Sequence, residues 1–233
     1  MIALRRAAAW AVHAYTASGA LLALLALHAA IAGDLRTAFL WLAAQLLVDG
    51  TDGFLARAAG VSRFAGAIDG ARMDDIVDYL CYVFVPAVMI LAAGLVPATV
   101  AWPVVAMVLL SSAFGFARTD AKTTDHFFTG FPSYWNIVVF YLVVLHTPPA
   151  FNAALLAALS ALVFVPIRFV YPSRTVTWRR VTLALGGLWA AAGLLLMWQL
   201  PRPSLALASA SLAFPAYYVA LSLVLDARRR QRR

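Results

Sequence analysis

The residues able to do chemistry are aspartates, and they are crowded. Six of the ten acidic residues in this 233-residue chain, Asp49, Asp52, Asp69, Asp74, Asp75 and Asp78, lie between positions 49 and 78, and no glutamate occurs anywhere. On a helix, residues three apart are separated by about 60° around the axis and residues four apart by about 40°. Asp49 and Asp52 therefore share one helix face, and Asp74 and Asp78 share another. The surrounding sequence is apolar, and each charge placed at mid-bilayer costs at least ~2.5–3.5 kcal/mol. Hard divalent cations with oxygen ligands, Mg²⁺ or Mn²⁺ ahead of Ca²⁺, offset that cost. The four histidines are scattered and Cys81 is the sole cysteine, so a zinc site is disfavoured and Cys81 reads as a small buried residue. Two ions shared by the carboxylates suit chemistry on a diphosphate. Aspartates at this depth also serve ion-coupled transporters and cation channels.

Small residues flank the acids. Gly53 and Ala56 follow Asp52, and Gly70 precedes Asp74 by one turn. Glycine inside a helix is disfavoured by roughly 1 kcal/mol against alanine, and it leaves room for a phosphate or nucleotide to approach the backbone. Arg57, one turn beyond Gly53, is placed to clamp a phosphate.

The elements that must position these residues are transmembrane helices. The chain is 64% hydrophobic and 12% charged, with a mean hydropathy of +0.86, which excludes an ordinary soluble domain. About eight segments are apolar and long enough to be candidates: 10–33, 36–57, 71–96, 99–117, 133–147, 149–171, 179–199 and 204–226, with glycine and proline at the breaks. The expected fold is an all-α integral membrane protein of a single domain, residues 1–233. The first segment follows Arg5 and Arg6 as a signal peptide would, but its length and the closeness of the next segment mark it as a retained helix.

The +8 charge does not indicate nucleic acid, because the basic residues are divided among loops. With both termini cytoplasmic, 16 of the 18 lysines and arginines fall on the inner side, leaving Arg36 and Arg202 outside. The dozen residues between the second and third segments make these antiparallel neighbours, so the four carboxylates can meet just below the cytoplasmic surface. The basic C-terminal run reads as a topology signal that touches anionic lipid.

The run Asp49-Gly-Thr-Asp52-Gly53-Phe-Leu-Ala56-Arg57, then twelve residues, then Gly70-Ala-Arg-Met-Asp74-Asp-Ile-Val-Asp78 resembles the signature of the CDP-alcohol phosphatidyltransferase superfamily. Most of that superfamily has eight residues between the arginine and the second glycine. The twelve-residue spacer is similar to that of the bacterial phosphatidylcholine synthase branch, as are the segments Lys122–Asn136 and Pro166–Arg174, so the likeness covers nearly the whole chain.

The resemblance implies a metal site of Asp49, Asp52, Asp74 and Asp78, with Asp78 as general base. It implies a cytidine diphosphate site around Gly53, Ala56, Arg57, Gly70 and Asp74. It also implies a catalytic core at about 10–171 with two extra helices at about 179–226, a homodimer in the bacterial inner membrane, and two Mn²⁺ or Mg²⁺ ions. The substrates would be CDP-diacylglycerol and choline. Serine, inositol or glycerol phosphate would be the acceptors of sibling enzymes. A quaternary ammonium is recognised by aromatic faces, and on that ground Trp135, Tyr134 and then Tyr82 are the candidate choline contacts. An interfacial aromatic belt puts the same residue types at this depth. Asp69 is expected to cap the third helix.

Overall fold

The computed structural model describes residues 1–120, 127–170 and 178–231. Lys122–His126 and Tyr171–Arg174, parts of the two segments just quoted, lie outside the described residues, as do Arg232 and Arg233.

The first helix, α1 (Ile2–Ile31), starts earlier than its apolar run. It packs along α2 (Leu35–Ala59) through small residues, with Ala9, Ala23, Ala26, Ala30 and Ala38 almost fully buried. Small side chains let membrane helices approach closely. Gly19 marks the tightest point: a Cβ there would lie 2.3 Å from Gln45 Oε1 on α2 and 2.5 Å from Val77 Cγ1 on the third long helix. Thus α1 clasps both helices that carry the aspartates.

Asp34 caps α2, its carboxylate accepting from Thr37 N at 3.0 Å; hydrogen bonding from the Thr37 side chain, and then from its backbone N–H, holds the Asp34 carboxyl below its usual range. At the other end Gly60 stops α2 in the left-handed conformation (φ +64°), and a short turn, α3 (Val61–Phe64), follows.

The third long helix runs Gly70–Ala92. It begins as α4 (Gly70–Asp78), widens into a π-helical turn over Tyr79–Phe84, and resumes as α5 (Val85–Ala92). Pro86 has no N–H to give the Tyr82 carbonyl four residues back. The ladder upstream accordingly shifts register, with Val85 N bonding Leu80 O. Next come α6 (Ala101–Ala117), α7 (Trp135–Val144) and α8 (Pro149–Leu162).

Two strands, β1 (Phe127–Thr129) and β2 (Arg168–Val170), pair antiparallel beside the helices, Phe128 opposite Phe169. This ladder departs from a purely helical expectation. The sixth apolar segment was expected to continue to 171, but α8 ends at Leu162. Pro166 lacks an N–H and biases Val165 away from helical backbone, and the chain then extends into β2.

The last part comprises α9 (Arg179–Gln199), α10 (Leu205–Ser211) and α11 (Ala213–Arg230). The eighth segment was expected to be unbroken; it is interrupted at Leu212, three residues before Pro215. These helices dock by hydrogen bonds as well as packing. Trp189 Nε1 donates to Tyr141 Oη (2.8 Å), which shares a hydrogen bond with Ser211 Oγ (2.9 Å). On α11, Ser222 Oγ accepts from Val170 N (3.0 Å) and Tyr218 Oη donates to Val170 O (2.9 Å), so the outer edge of β2 is satisfied by side chains.

Among the described residues, five helices are long and apolar enough to cross a membrane: Ile2–Ile31, Gly70–Ala92, Ala98–Ala117, Arg179–Gln199 and Leu205–Arg229. The chain is an all-α multi-pass membrane protein apart from the small ladder. The eight apolar segments each correspond to a helical stretch, but not to eight full-length apolar spans. In α2 the run is interrupted by Gln45, Asp49, Asp52 and Arg57. With 10 and 14 residues, α7 and α8 rise about 15 and 21 Å, against a hydrocarbon core of ~30 Å.

Gly130 joins β1 to the turn before α7 at φ +82°, its N–H bonded to Ile167 O at 2.8 Å. A Cβ there would lie 2.1 Å from the Val163 carbonyl oxygen. Gly130→Ala is therefore expected to destabilise the protein by more than about 1–3 kcal/mol, read as a lowered Tm in detergent. Gly187→Ala, where a Cβ meets nothing within 4 Å, should leave Tm unchanged or raise it slightly.

Candidate metal and substrate site

Three carboxylates converge where α2 meets α4. One oxygen from each of Asp49, Asp74 and Asp78 lies within 4.8 Å of the others, and all three residues are half-buried. Asp74 and Asp78 are one turn apart on the same face of α4; Asp49 faces them from α2. Oxygens on opposite sides of a Mg²⁺ ion are about 4.2 Å apart, and those around Ca²⁺ up to about 5 Å. The donor set is oxygen only and its spread of at most 4.8 Å is on the scale of these distances, so the residues fit a hard divalent cation.

Asp52 departs from the expected foursome. It sits about 60° around α2 from Asp49, enough to turn it into the interface with α1. There it is buried and accepts from Thr16 Oγ1 at 2.8 Å. The triad is therefore Asp49, Asp74 and Asp78, with Asp52 behind it.

The triad opens into a cavity of about 310 Å³ also lined by Asp75, Tyr82, Phe116, Arg118, Thr119, Phe128, Phe131, Ser133 and Tyr134. The π-helical turn carries Tyr82 into this wall, and its hydroxyl donates to Asp49 Oδ2 at 2.7 Å. Tyr134 lies 5.9 Å from Tyr82, ring centre to ring centre, and 6.4 Å from Phe128. These rings form an aromatic wall beside the carboxylates.

Trp135 is not part of that wall. It is fully buried, packs edge-on to Phe131 at 5.1 Å, and donates from Nε1 to Ser112 Oγ at 2.7 Å. At the first position of α7 its side chain lies in the core, and it does not line the cavity that Tyr82 and Tyr134 line.

Arg118 at the cavity mouth makes a two-point hydrogen bond to Asp120, both distances 2.8 Å. That pairing holds the Asp120 carboxyl below its usual range. From sequence Arg118 is legible only as a topology charge; its place after the apolar run of α6 is the one signal that it borders the site.

The expected diphosphate contacts lie on the last turns of α2 and at the start of α4. Gly53 and Arg57 follow the aspartates on α2, with Arg57 exposed and its Nη1 3.4 Å from where a Gly53 Cβ would sit; Ala56 is half-buried. Gly70 opens α4 immediately after Asp69, whose carboxylate accepts from Ala71 N (3.1 Å) and Arg72 N (3.2 Å) as expected of a cap. A Gly70 Cβ would lie 3.4 Å from the His13 ring. Sequence reasoning missed His13: it is buried, and its Nε2 hydrogen-bonds the Ala65 carbonyl at 3.2 Å, tying the long spacer to α1. Cys81 is buried, its thiol 3.7 Å from Gly19 O.

Fold and pocket together define a multi-pass membrane protein with a three-carboxylate cluster, able to hold a cation, opening beside an aromatic wall. No family model matches the chain. It is 38% identical over 228 residues to a phosphatidylcholine synthase of Pseudomonas aeruginosa, covering 98% of this chain and 96% of that protein. It is 43% identical over 168 residues to one of Legionella pneumophila (72% of this chain, 66% of that protein) and 41% identical over 189 residues to one of Bradyrhizobium diazoefficiens (81% and 71%). The chain belongs to the phosphatidylcholine synthase family.

Asp74→Asn should weaken Mn²⁺ binding by at least about tenfold, because it removes a charged ligand from a three-carboxylate site. Isothermal titration or the Mn²⁺ spin-resonance signal measures this. Thr16→Val, which removes the hydrogen bond to Asp52 and leaves the triad carboxylates in place, should leave the affinity for a first Mn²⁺ within about twofold.

Proposed function

We propose that this chain transfers the phosphatidyl group of CDP-diacylglycerol to choline and releases CMP. The observation that carries the reading is one cavity in which three aspartates of the motif face Tyr82 and Tyr134. Identity to a phosphatidylcholine synthase along almost the whole chain supports it.

Asp49, Asp74 and Asp78 would hold Mn²⁺ or Mg²⁺. A second ion would draw on Asp52, through the carboxylate oxygen that does not accept from Thr16 or by displacing that hydroxyl. A divalent cation bound there neutralises charge developing on the diphosphate. The diphosphate lies along Gly53, Ala56 and Arg57 of α2 and the Gly70–Asp74 turn of α4, where glycine leaves the backbone open and the guanidinium offers paired donors.

Choline carries a fixed positive charge and no donor besides its hydroxyl. The faces of Tyr134 and Tyr82 attract the trimethylammonium group, each for about 0.5–2 kcal/mol, and Asp75 on the same cavity adds negative potential. The Tyr82–Asp49 hydrogen bond holds the ring where it serves both the metal ligand and the acceptor. With the alcohol seated, Asp78 accepts the hydroxyl proton. The choline oxygen bonds to the phosphorus that carries diacylglycerol, the bond from that phosphorus to the CMP oxygen breaks, and CMP leaves with the electron pair. Holding both substrates in line makes the step effectively unimolecular.

The catalytic core is about 10–171. The distribution of basic residues supports cytoplasmic termini and a cytoplasm-facing site in the bacterial inner membrane, and kinship with the transferases supports a homodimer.

Purified protein given CDP-diacylglycerol and Mn²⁺ is expected to release CMP with choline and not with serine, inositol or glycerol phosphate; release with serine instead would overturn the choice of acceptor. Asp78→Asn should lower kcat by about 10²–10⁴-fold. Tyr134→Ala should raise the KM for choline by about 2- to 30-fold, with the KM for CDP-diacylglycerol little changed.

A further inference from the structure

A second cavity, also about 310 Å³, lies between α2, α7 and α9, and nothing in the reaction chemistry uses it. Its walls are apolar apart from Asn136, with Phe39, Ala43 and Leu46 on α2, Phe140 on α7, and Gly193 and Met197 on α9. Gly193 lines it, and a Cβ added there would meet nothing within 4 Å. Its volume is within the ~300–1,000 Å³ range of ligand pockets.

Part of the α2 face that lines this groove continues toward the site, with Leu40, Ala44 and Leu47 widening the trough to one side of it. At 100° per residue, Phe39, Ala43, Leu46, Gly50, Gly53 and Arg57 fall within an arc of about 80°. One strip of helix therefore presents an apolar trough, then two glycines, then a cation. Gly50 has no neighbour within 4 Å of a Cβ position, and Gly53 has only Arg57 Nη1. Asp49 borders the strip at Gly53. From Phe39 to Leu47 the trough rises about 12 Å along the helix, close to one leaflet's share of a ~30 Å hydrocarbon core.

We infer that this groove holds one acyl chain of CDP-diacylglycerol, with the lipid lying along α2 so that its diphosphate crosses Gly50 and Gly53 toward Arg57 and the aspartates. The assignment rests on the transferase reading and adds a role for α9, which walls the chain in from outside the catalytic core. Continuity with the phosphate-facing glycines and the charge of Arg57 select a phospholipid as occupant over a second protein copy.

The test fills the groove. Gly193→Phe sends a ring into the open volume, and Ala43→Phe does so from the facing helix. Each should raise the KM for dipalmitoyl CDP-diacylglycerol about tenfold, as expected from displacing about two methylenes, while the KM for the dihexanoyl form and for choline stays within about twofold. Unchanged Mn²⁺ affinity and Tm control for folding. A wild-type photolabelling arm uses CDP-diacylglycerol with a diazirine near the acyl terminus, and adducts should map to α9 between Ala190 and Met197.

Equal KM changes for both chain lengths, or adducts spread over the outer helix faces as for bulk lipid, would overturn the inference. So would loss of dimerisation in Gly193→Phe with both KM values intact, which would mean that a second copy fills the groove. If wild type releases no CMP with any acceptor, the transferase reading fails instead, and the adduct map still decides whether the lipid occupies the groove.

Discussion

Three carboxylates are held close together at the junction of α2 and α4, and the rest of the molecule answers to that constraint. At an effective dielectric of about 20, two unit charges 4.8 Å apart repel by about 3 kcal/mol. Without a cation the two helices would be driven apart, so something must clamp them. The clamp is α1. Gly19 lets it touch both helices at once, Thr16 hydrogen-bonds Asp52 on α2, and His13 fastens the spacer that leads into α4. A longer spacer is tolerated because α3 folds part of it and His13 pins it.

The same junction explains the interruption in the third long helix. An uninterrupted α-helix through Asp74, Asp78 and Tyr82 would continue the carboxylate stripe straight into an aromatic residue. The π-helical turn, forced by Pro86, resets the register just beyond Asp78 and sets Tyr82 where its hydroxyl meets Asp49. Acid chemistry and the aromatic wall thus come from one helix and share one hydrogen bond. Tyr134 and Phe128 complete the wall from the stretch between α6 and α7, which β1–β2 pairing and Gly130 hold against the bundle.

The aspartate site was legible because it depends on short-range geometry. Spacings of three and four residues on two helices joined by a short loop leave few ways to arrange Asp49, Asp74 and Asp78, and Asp69 advertised its capping role by position. The limits lie where partners are distant. Asp52 shares a helix face with Asp49 on a wheel diagram, yet a 60° offset suffices to hand it to Thr16, and only the packing of α1 decides that. Trp135 and Tyr134 are neighbours in sequence with opposite fates, one in the core and one on the cavity, because Trp135 is the first helical residue of α7 while Tyr134 precedes it with non-helical backbone (ψ 56°). The β1–β2 ladder pairs three-residue strands some forty positions apart, too short for alternation to register. The groove beside α9 depends on how a C-terminal helix leans on α2, which no local pattern records.

The most direct measurement is the anomalous scattering of crystals soaked in Mn²⁺. An ion bound as described would give a peak enclosed by the carboxylate oxygens of Asp49, Asp74 and Asp78, at about 2.0–2.6 Å from them. A peak elsewhere, or none at saturating Mn²⁺ while CMP is still released, would contradict the cation site on which the chemistry depends.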